Sequence, residues 1–272
     1  MHKRYKTILN DLDIFAFGNP MHFKALDNEF FGKKLTRFNQ LDCTSSKTKF
    51  FMDRLLKLDS LSFGGAGMEM ERWMLYDCAA MPSCVLGFGI PADLASEKTR
   101  ELFGIESESD ESLIPLSMFT AIPTMQEGHW FGHNLCSLSQ KINQYHGLGL
   151  LTKSMGVALY QSFKFFGATQ WDSAALNLHV QLADMFLLSS HTVNHSKMNT
   201  LTYYSDYSMD KIEMALSGEA RVSEDYHFLM DSSDLSQQIL TQKKIEKGEI
   251  FFINGRSIKE EKKNLFPIQV AQ

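Results

Sequence analysis

The sequence predicts an α/β protein with a mixed, mostly antiparallel central sheet of six or seven strands flanked by helices. Short β-like apolar segments alternate along the chain with longer segments of helical periodicity. A glycine-containing turn at Gln144–Gly149 joins one predicted strand to a long apolar helix. The 272 residues are 44% hydrophobic, which is enough to bury one large core or two small ones.

Each element follows from a local pattern. Strands are predicted where apolar and aromatic residues cluster between turn signals, at 12–17, 71–78, 83–90, 113–122, 129–138, 168–171 and 221–230. Helices are predicted where apolar residues recur every three or four positions, with two inside 21–58 and others at 91–103, 150–166, 173–187 and 210–216. Gly167 is expected to end the helix that starts at Leu150, and Asp172-Ser173 to cap the next one.

The composition excludes other classes of protein. The net charge is −5 and the C-terminal lysines are interleaved with glutamates, so no nucleic-acid partner is expected. No run of 18 apolar residues predicts a membrane span, and no signal peptide is recognisable, so a cytoplasmic location is expected. The four cysteines match no zinc spacing and suit a reducing compartment.

The turn at Gln144–Gly149 has the features of a phosphate-binding loop. A strand, a glycine turn and a helix N-terminus bring several backbone N–H groups to one point, where the helix dipole favours an anion. Gly147 and Gly149 carry no side chain that would block it. A dinucleotide-binding loop would need glycine where Thr152 stands, and a Walker loop would end in Gly-Lys-Ser/Thr, so neither nucleotide motif is matched.

The sequence Gln144-Tyr145-His146-Gly147-Leu148-Gly149 instead resembles the acetyl-CoA-binding motif Gln/Arg-x-x-Gly-x-Gly/Ala of the GNAT superfamily of N-acetyltransferases. The predicted order of strand, motif, helix, strand and helix over 129–187 is also similar to that family. The resemblance implies direct acyl transfer from acetyl-CoA, or a longer acyl-CoA, to an amine acceptor. It implies that the CoA-binding residues are Leu135, Cys136, Ser137, Gln144, Tyr145, His146, Gly147, Leu148, Gly149 and Leu150.

The residues that could act as acid and base match the pattern of the family less closely than the CoA-binding motif does. The family often has Asn, Ala and Tyr at positions where this chain has Asp172, Ala175 and His179, and that Tyr commonly protonates the leaving thiolate. His179 is therefore a candidate acid, although it also fits a buried position on its helix. Candidates for the base that deprotonates the amine are Glu127, His129 and His133, on or next to the strand before the motif.

The predicted organisation is a GNAT-like acyltransferase domain over residues 1–232, followed by a C-terminal extension over 233–272. Residues 1–68 would form its helical acceptor side, and 129–187 its CoA-binding core. The extension is expected to contain a helix, a strand at 250–253 and a loose, charged end.

Two other functions stay open: a catalytically inactive CoA-binding or protein-interaction module, and a metal-dependent hydrolase. The hydrolase would use the pairs His129/His133 and His191/His195. Their spacing suits zinc only on a helix, and we assign no metal ligands.

Overall fold

Twelve strands and eight α-helices are formed by the residues that the computed structural model describes. These residues are 1–18, 29–33, 37–39, 46–80, 84–106, 112–160, 162, 164–192 and 199–271. Their contacts divide the chain into two units. The motif unit comprises residues 2–127 and 132–161, and the C-terminal unit comprises Met1, 128–131 and 162–272. The α/β class is confirmed, but the strands outnumber the six or seven predicted.

The motif unit contains the glycine turn. Its elements are α1 (Lys3–Asp11), β1 (Asp13–Gly18), β2 (Arg37–Asn39), α2 (Ser46–Phe63), α3 (Arg72–Ala80), β3 (Cys84–Pro91), α4 (Glu97–Phe103), β4 (Leu113–Pro123), most of β5 (His129–Ser137) and α5 (Leu148–Leu159). The strand order is β5-β4-β3-β1-β2. Strand β1 pairs parallel with β2, whereas β3 pairs antiparallel with both β1 and β4. The first three residues of β5 belong to the C-terminal unit.

Helix α5 is fixed on the sheet of the motif unit by close packing and a buried hydrogen bond. Gly156 lies directly over the Phe119 ring of β4, where any Cβ atom would clash with the ring. The Thr152 hydroxyl lies 2.6 Å from that of Ser117 on β4, and it also donates to the Leu148 carbonyl at 2.7 Å. Because interiors are close-packed, these contacts leave the helix little freedom to shift, so the turn before it is held in place.

The described part of the C-terminal unit combines antiparallel strands with three α-helices. Its elements are β6 (Lys164–Gln170), α6 (Ala174–Leu182), β7 (Met185–Ser189), β8 (Thr200–Asp206), α7 (Met209–Ala215), β9 (Phe228–Asp231), α8 (Leu235–Ile245), β10 (Phe251–Ile253), β11 (Ile258–Glu260) and β12 (Lys263–Val270). Strand β8 pairs antiparallel with β6 and β7, and β12 with β9, β10 and β11. The core includes Trp171, whose indole N–H donates to the Ser190 carbonyl at 2.8 Å.

The strand predicted at 71–78 is wrong, because these residues form helix α3. Leu75 and Cys78 are buried three residues apart, whereas Trp73 is largely exposed. That burial follows the period of a helix, and a strand would alternate every second residue. The second strand of the predicted hairpin is present as β3.

Two helix ends were predicted too late in the chain. The helix after the motif ends at Leu159, and Gly167 lies inside β6, where a Cβ atom would meet the Tyr203 ring. Gly167 is therefore required by cross-strand packing and does not cap a helix. The next helix ends at Leu182, since Met185–Ser189 form β7, although Ser173 caps its N-terminus as predicted.

The remaining predicted helices and strands agree with the structure in part. Strands β1, β4 and β5, and helices α2, α4, α7 and α8, lie close to their predicted places. Helix α1 was not predicted. Of the strand predicted at 221–230, only residues 228–230 lie in a strand, β9. The C-terminal end that was predicted as loose forms β11 and β12. Much of the first helix predicted within 21–58, and the acidic loop 107–111, lie outside the described residues. The division at residue 232 stays a prediction.

Candidate functional site

The predicted phosphate-binding loop is an ordered turn between β5 and α5. After Ser137 the chain forms two short 3-10 turns, Leu138–Gln140 and Asn143–Tyr145, and reaches α5 through His146 and Gly147. Backbone hydrogen bonds from Ile142 to Leu138, at 2.9 Å, and from His146 to Asn143, at 3.0 Å, hold these turns. The backbone of the loop is therefore organised before any ligand binds.

Gly147 is the N-cap of α5 and gives the loop its shape. Its φ of 91° is in the left-handed region, which glycine adopts without strain. It has no side chain to cap the helix, and no acidic residue lies in the first turn. The first N–H groups of an α-helix have no partner inside the helix, so those of Leu148, Gly149 and Leu150 present an uncompensated partial positive charge.

The side chains of the motif divide into exposed and buried sets. Gln144 and His146 are exposed, so both can reach a ligand in solvent. Tyr145, Leu148 and Leu150 are buried in the motif unit, so their side chains anchor the loop. The resemblance implied binding roles for all of these residues, and nothing in the structure tests those roles.

Arg4 of α1 lies against the same loop, a contact that no pattern in the sequence predicts. A Cβ atom at Gly147 would lie 3.3 Å from Nε of Arg4 and 3.0 Å from the Tyr5 ring. One guanidinium nitrogen of Arg4 donates to the Tyr5 hydroxyl at 3.1 Å, while Nε is buried without a hydrogen-bond partner among the described residues. A guanidinium beside the positive end of a helix is electrostatically unfavourable unless an anion lies nearby.

The predicted carbonyl-binding stretch Leu135–Ser137 is the end of β5. Cys136 is fully buried, and burial raises the pKa of its thiol well above the ordinary value. The thiol is therefore protonated at neutral pH and is no nucleophile. The Ser137 hydroxyl accepts from the N–H of Ser139 at 3.2 Å and so directs the chain into the 3-10 turn.

A buried carboxylate on α2, Asp59, contacts this strand. It is 1% exposed, and one oxygen accepts from the N–H of Met70 at 2.6 Å. The other oxygen accepts from the Asn134 amide at 2.6 Å and lies 3.5 Å from the sulfur of Cys136. Sequence reasoning missed Asp59, because an aspartate within a helical pattern carries no sign of a partner 75 residues away.

His133 is the candidate base on the strand that Asp59 contacts, and it lies next to Asn134 in sequence. Burial lowers the pKa of its imidazole, and the negative charge of Asp59 opposes that effect. Nδ1 of His133 is buried without a hydrogen-bond partner among the described residues. A neutral imidazole is able to accept a proton from an amine.

The other two candidate bases have different surroundings. Glu127 is exposed in the turn between β4 and β5. His129 belongs to the C-terminal unit, where its ring centroid lies 5.9 Å from that of Phe166. Because His129 and His133 lie on a strand, their Cα atoms are about 13 Å apart by strand geometry and cannot form a helical zinc pair.

The candidate acid His179 belongs to the C-terminal unit and lies in the last turn of α6. It is 7% exposed, and its ring centroid lies 5.5 Å from that of Tyr203. This burial is what the alternative interpretation, a histidine packed in the core, predicts. Its role as an acid stays a prediction.

The described residues contain no group of three or more His, Cys, Asp or Glu side chains arranged to hold a metal ion. His195, half of the second histidine pair, lies outside them. None of the described helices is both long enough and apolar enough to cross a bilayer.

No family model and no curated protein matches the chain. Among solved structures, an aminoglycoside 6'-acetyltransferase type Ii is similar over 62% of this chain and 95% of its own, at 13% identity and a TM-score of 0.39. A NatC complex bound to Gag peptide and CoA covers 62% of this chain and 97% of the matched one, at 13% identity and a TM-score of 0.39. The aminoglycoside 6'-N-acetyltransferase from Enterococcus faecium is similar over 61% of this chain and 93% of its own, at 12% identity and a TM-score of 0.38. Likeness this low carries no argument about the activity of this chain, which has to be inferred from its own residues.

Proposed function

We propose that this chain is an acyl-CoA-dependent N-acyltransferase, which moves an acyl group from CoA to an amine of a small molecule or a protein. One observation carries the proposal. The motif Gln144–Gly149 contains a left-handed glycine, Gly147, at which helix α5 starts with no side-chain cap and no acid in its first turn. Such a helix start binds phosphate well, because its free N–H groups and the helix dipole both favour an anion.

The loop would bind the pyrophosphate of acyl-CoA. The N–H groups of Leu148, Gly149 and Leu150 would donate to its oxygens, and Arg4 beside Gly147 would supply a full positive charge. A bound diphosphate would also give the buried Nε–H of Arg4 an acceptor, which removes the cost of leaving a donor unpaired.

The chemistry would take place at the end of β5. A backbone N–H of the stretch Leu135–Ser137 would donate to the thioester carbonyl oxygen and stabilise the negative charge that develops there. The amine nitrogen attacks the carbonyl carbon, the C–N bond forms and the C–S bond breaks. The proton lost by the amine passes to His133, and the thiolate of CoA leaves and is protonated. His179, the acid proposed from the sequence, stays a proposal for that last step.

Substituting His146 with Asp tests the proposed phosphate site. A carboxylate one residue before the N-cap should repel the pyrophosphate and weaken acetyl-CoA binding about 10-fold, or about 1.4 kcal/mol. The same charge favours the helix start, so the free energy of unfolding should stay equal or rise by about 0.3–1 kcal/mol. Calorimetric titration with acetyl-CoA and urea unfolding measure the two effects.

His146→Asn is the matched control, because it has the shape of Asp without the charge. It should bind acetyl-CoA about 10-fold more tightly than the Asp variant does. Wild-type protein that binds no acetyl-CoA, or Asp and Asn variants of equal affinity, would refute phosphate binding at this loop.

Arg4→Gln should weaken acetyl-CoA binding about 10-fold at low salt, because hydrogen bonds to charged groups contribute about 1.5–3 kcal/mol. The loss should shrink as salt is added, since screening weakens the contribution of the charge in the wild type. Titrations at two salt concentrations measure this, with Lys3→Gln, an exposed neighbour on α1, as the control. Equal affinities for the two variants would rule out a specific role for Arg4.

A further inference from the structure

Asp59 is a buried carboxylate for which the proposed reaction gives no role so far. Burying an ionised carboxylate is costly unless donors compensate for the lost water. Asp59 has such donors in the N–H of Met70 and the amide of Asn134, each at 2.6 Å. A replacement by an apolar residue would avoid the cost altogether, so a charged group kept at 1% exposure suggests a use for its charge or its geometry.

The contacts of Asp59 are concentrated on the strand that carries the proposed chemistry. Asn134 and Cys136 are two residues apart on β5, so their side chains point to the same face, and both reach the same carboxylate oxygen. The sulfur of Cys136 lies 3.5 Å from this oxygen and 3.5 Å from the Asn134 amide oxygen. Helix α2 is thereby tied to β5 where the thioester carbonyl would bind.

His133 is directly adjacent to this tied segment. Of the described charged groups, Asp59 is the one that acts on its imidazole, and its negative charge favours the protonated form. The carboxylate therefore affects two parts of the site at once, the backbone of β5 and the candidate base.

We propose that Asp59 is a positioning residue of the acyl transfer: it holds β5 at residues 134–136 in the conformation that binds the thioester carbonyl, and it stabilises the imidazolium that forms when His133 takes the proton of the amine. The inference rests on the proposed function. Asp59 acts through Asn134, Cys136 and His133 and makes no contact with the reacting atoms. The proton moves from the amine nitrogen to His133.

The sign of the electrostatic effect is fixed by the charge. Removing the negative charge makes the imidazolium less stable, so the pKa of His133 should fall. A base with a lower pKa is deprotonated at lower pH, so the acid limb of the rate profile should move to lower pH. The same base is weaker and drives proton transfer less, so the maximal rate should fall as well.

The test uses Asp59→Asn, which keeps the shape but removes the charge, and which can accept from the N–H of Met70 or from the Asn134 amide with its single amide oxygen. The titration of His133 is followed by NMR in the full-length wild type and variant. The profile of kcat/KM against pH is then measured with acetyl-CoA and a panel of primary amines, by detection of released thiol. The expected results are a lower pKa for His133, an acid limb displaced in the same direction, and kcat reduced about 10-fold or more. An unchanged His133 titration in the folded variant would overturn the electrostatic role.

Asn134→Ala tests the positioning of β5 separately from the charge of Asp59. It also provides a test if Asp59→Asn does not fold. It keeps the charge of Asp59 but removes the shorter of its two contacts with β5, so kcat should fall while the pKa of His133 is not lowered. Unchanged kcat would overturn the positioning role. The NMR titration needs no acyl transfer, so it decides the Asp59–His133 interaction even if the protein transfers no acyl group and the proposed function fails.

Discussion

Gly147→Glu is expected to lower the affinity for acetyl-CoA at least about 100-fold, or about 2.7 kcal/mol. The new side chain would start 3.3 Å from Nε of Arg4 and would bring a carboxylate to the guanidinium and the helix N-terminus. An internal anion would then occupy the place of the pyrophosphate. Calorimetric titration with acetyl-CoA measures the loss.

Gly248→Glu is a closely matched control for this substitution. Gly248 has a φ of 93°, against 91° for Gly147, but a Cβ atom there would meet nothing within 4 Å. Both variants should therefore lose about 1–2 kcal/mol of folding free energy, because glutamate is strained in the left-handed backbone conformation. Only Gly147→Glu should lose acetyl-CoA binding. If both variants bound acetyl-CoA like the wild type, the loop would not be the phosphate site.

Lys153→Met is expected to stabilise the protein most at neutral and lower pH. Lys153 lies on α5 at 1% exposure, and burial lowers its pKa from 10.5 to about 7. Between pH 7 and 10.5 the unfolded chain binds more protons at this residue than the folded protein, so the lysine destabilises the fold most below pH 7 and least above 10.5. The shift sets an upper limit of about 5 kcal/mol, and we expect a gain on the order of 2–3 kcal/mol at pH 7.

The advantage of the Met variant should shrink steadily as pH rises from 7 toward 10. Burial also raises the pKa values of Cys136 and Tyr203, which makes both proteins less stable at high pH, but these effects cancel in the difference. Urea unfolding at several pH values gives that difference, and Lys141→Met, at an exposed position, should show no such trend. A gain that does not vary with pH would show that folding does not lower the pKa of Lys153.

The conformation of the chain at the start of α5 was predictable because it is local. Gly147, the strand before it and the helix after it are consecutive in sequence, and each has a short-range signal. The end of that helix was not predictable, because Phe165 and Phe166 continue its apolar pattern. Pairing with other strands, β8 among them, makes Lys164–Gln170 a strand.

The remaining parts of the site depend on distant contacts. Arg4 reaches Gly147 from the first helix, and Asp59 reaches Asn134 across 75 residues. A charged residue in a helical pattern looks the same in sequence whether it faces water or a buried partner. Helix α3 was missed for a related reason, since burial of Leu75 and Cys78 depends on the strands against which α3 packs.

Amide NMR spectra recorded with increasing acetyl-CoA test the central claim most directly. Binding at the loop predicts that the largest chemical-shift changes fall on the N–H groups of Leu148, Gly149 and Leu150, with a second group at Leu135–Ser137. The Gly147→Glu variant should show neither set of changes. No response to acetyl-CoA at millimolar concentration, or changes confined to residues outside these two stretches, would contradict the proposed function.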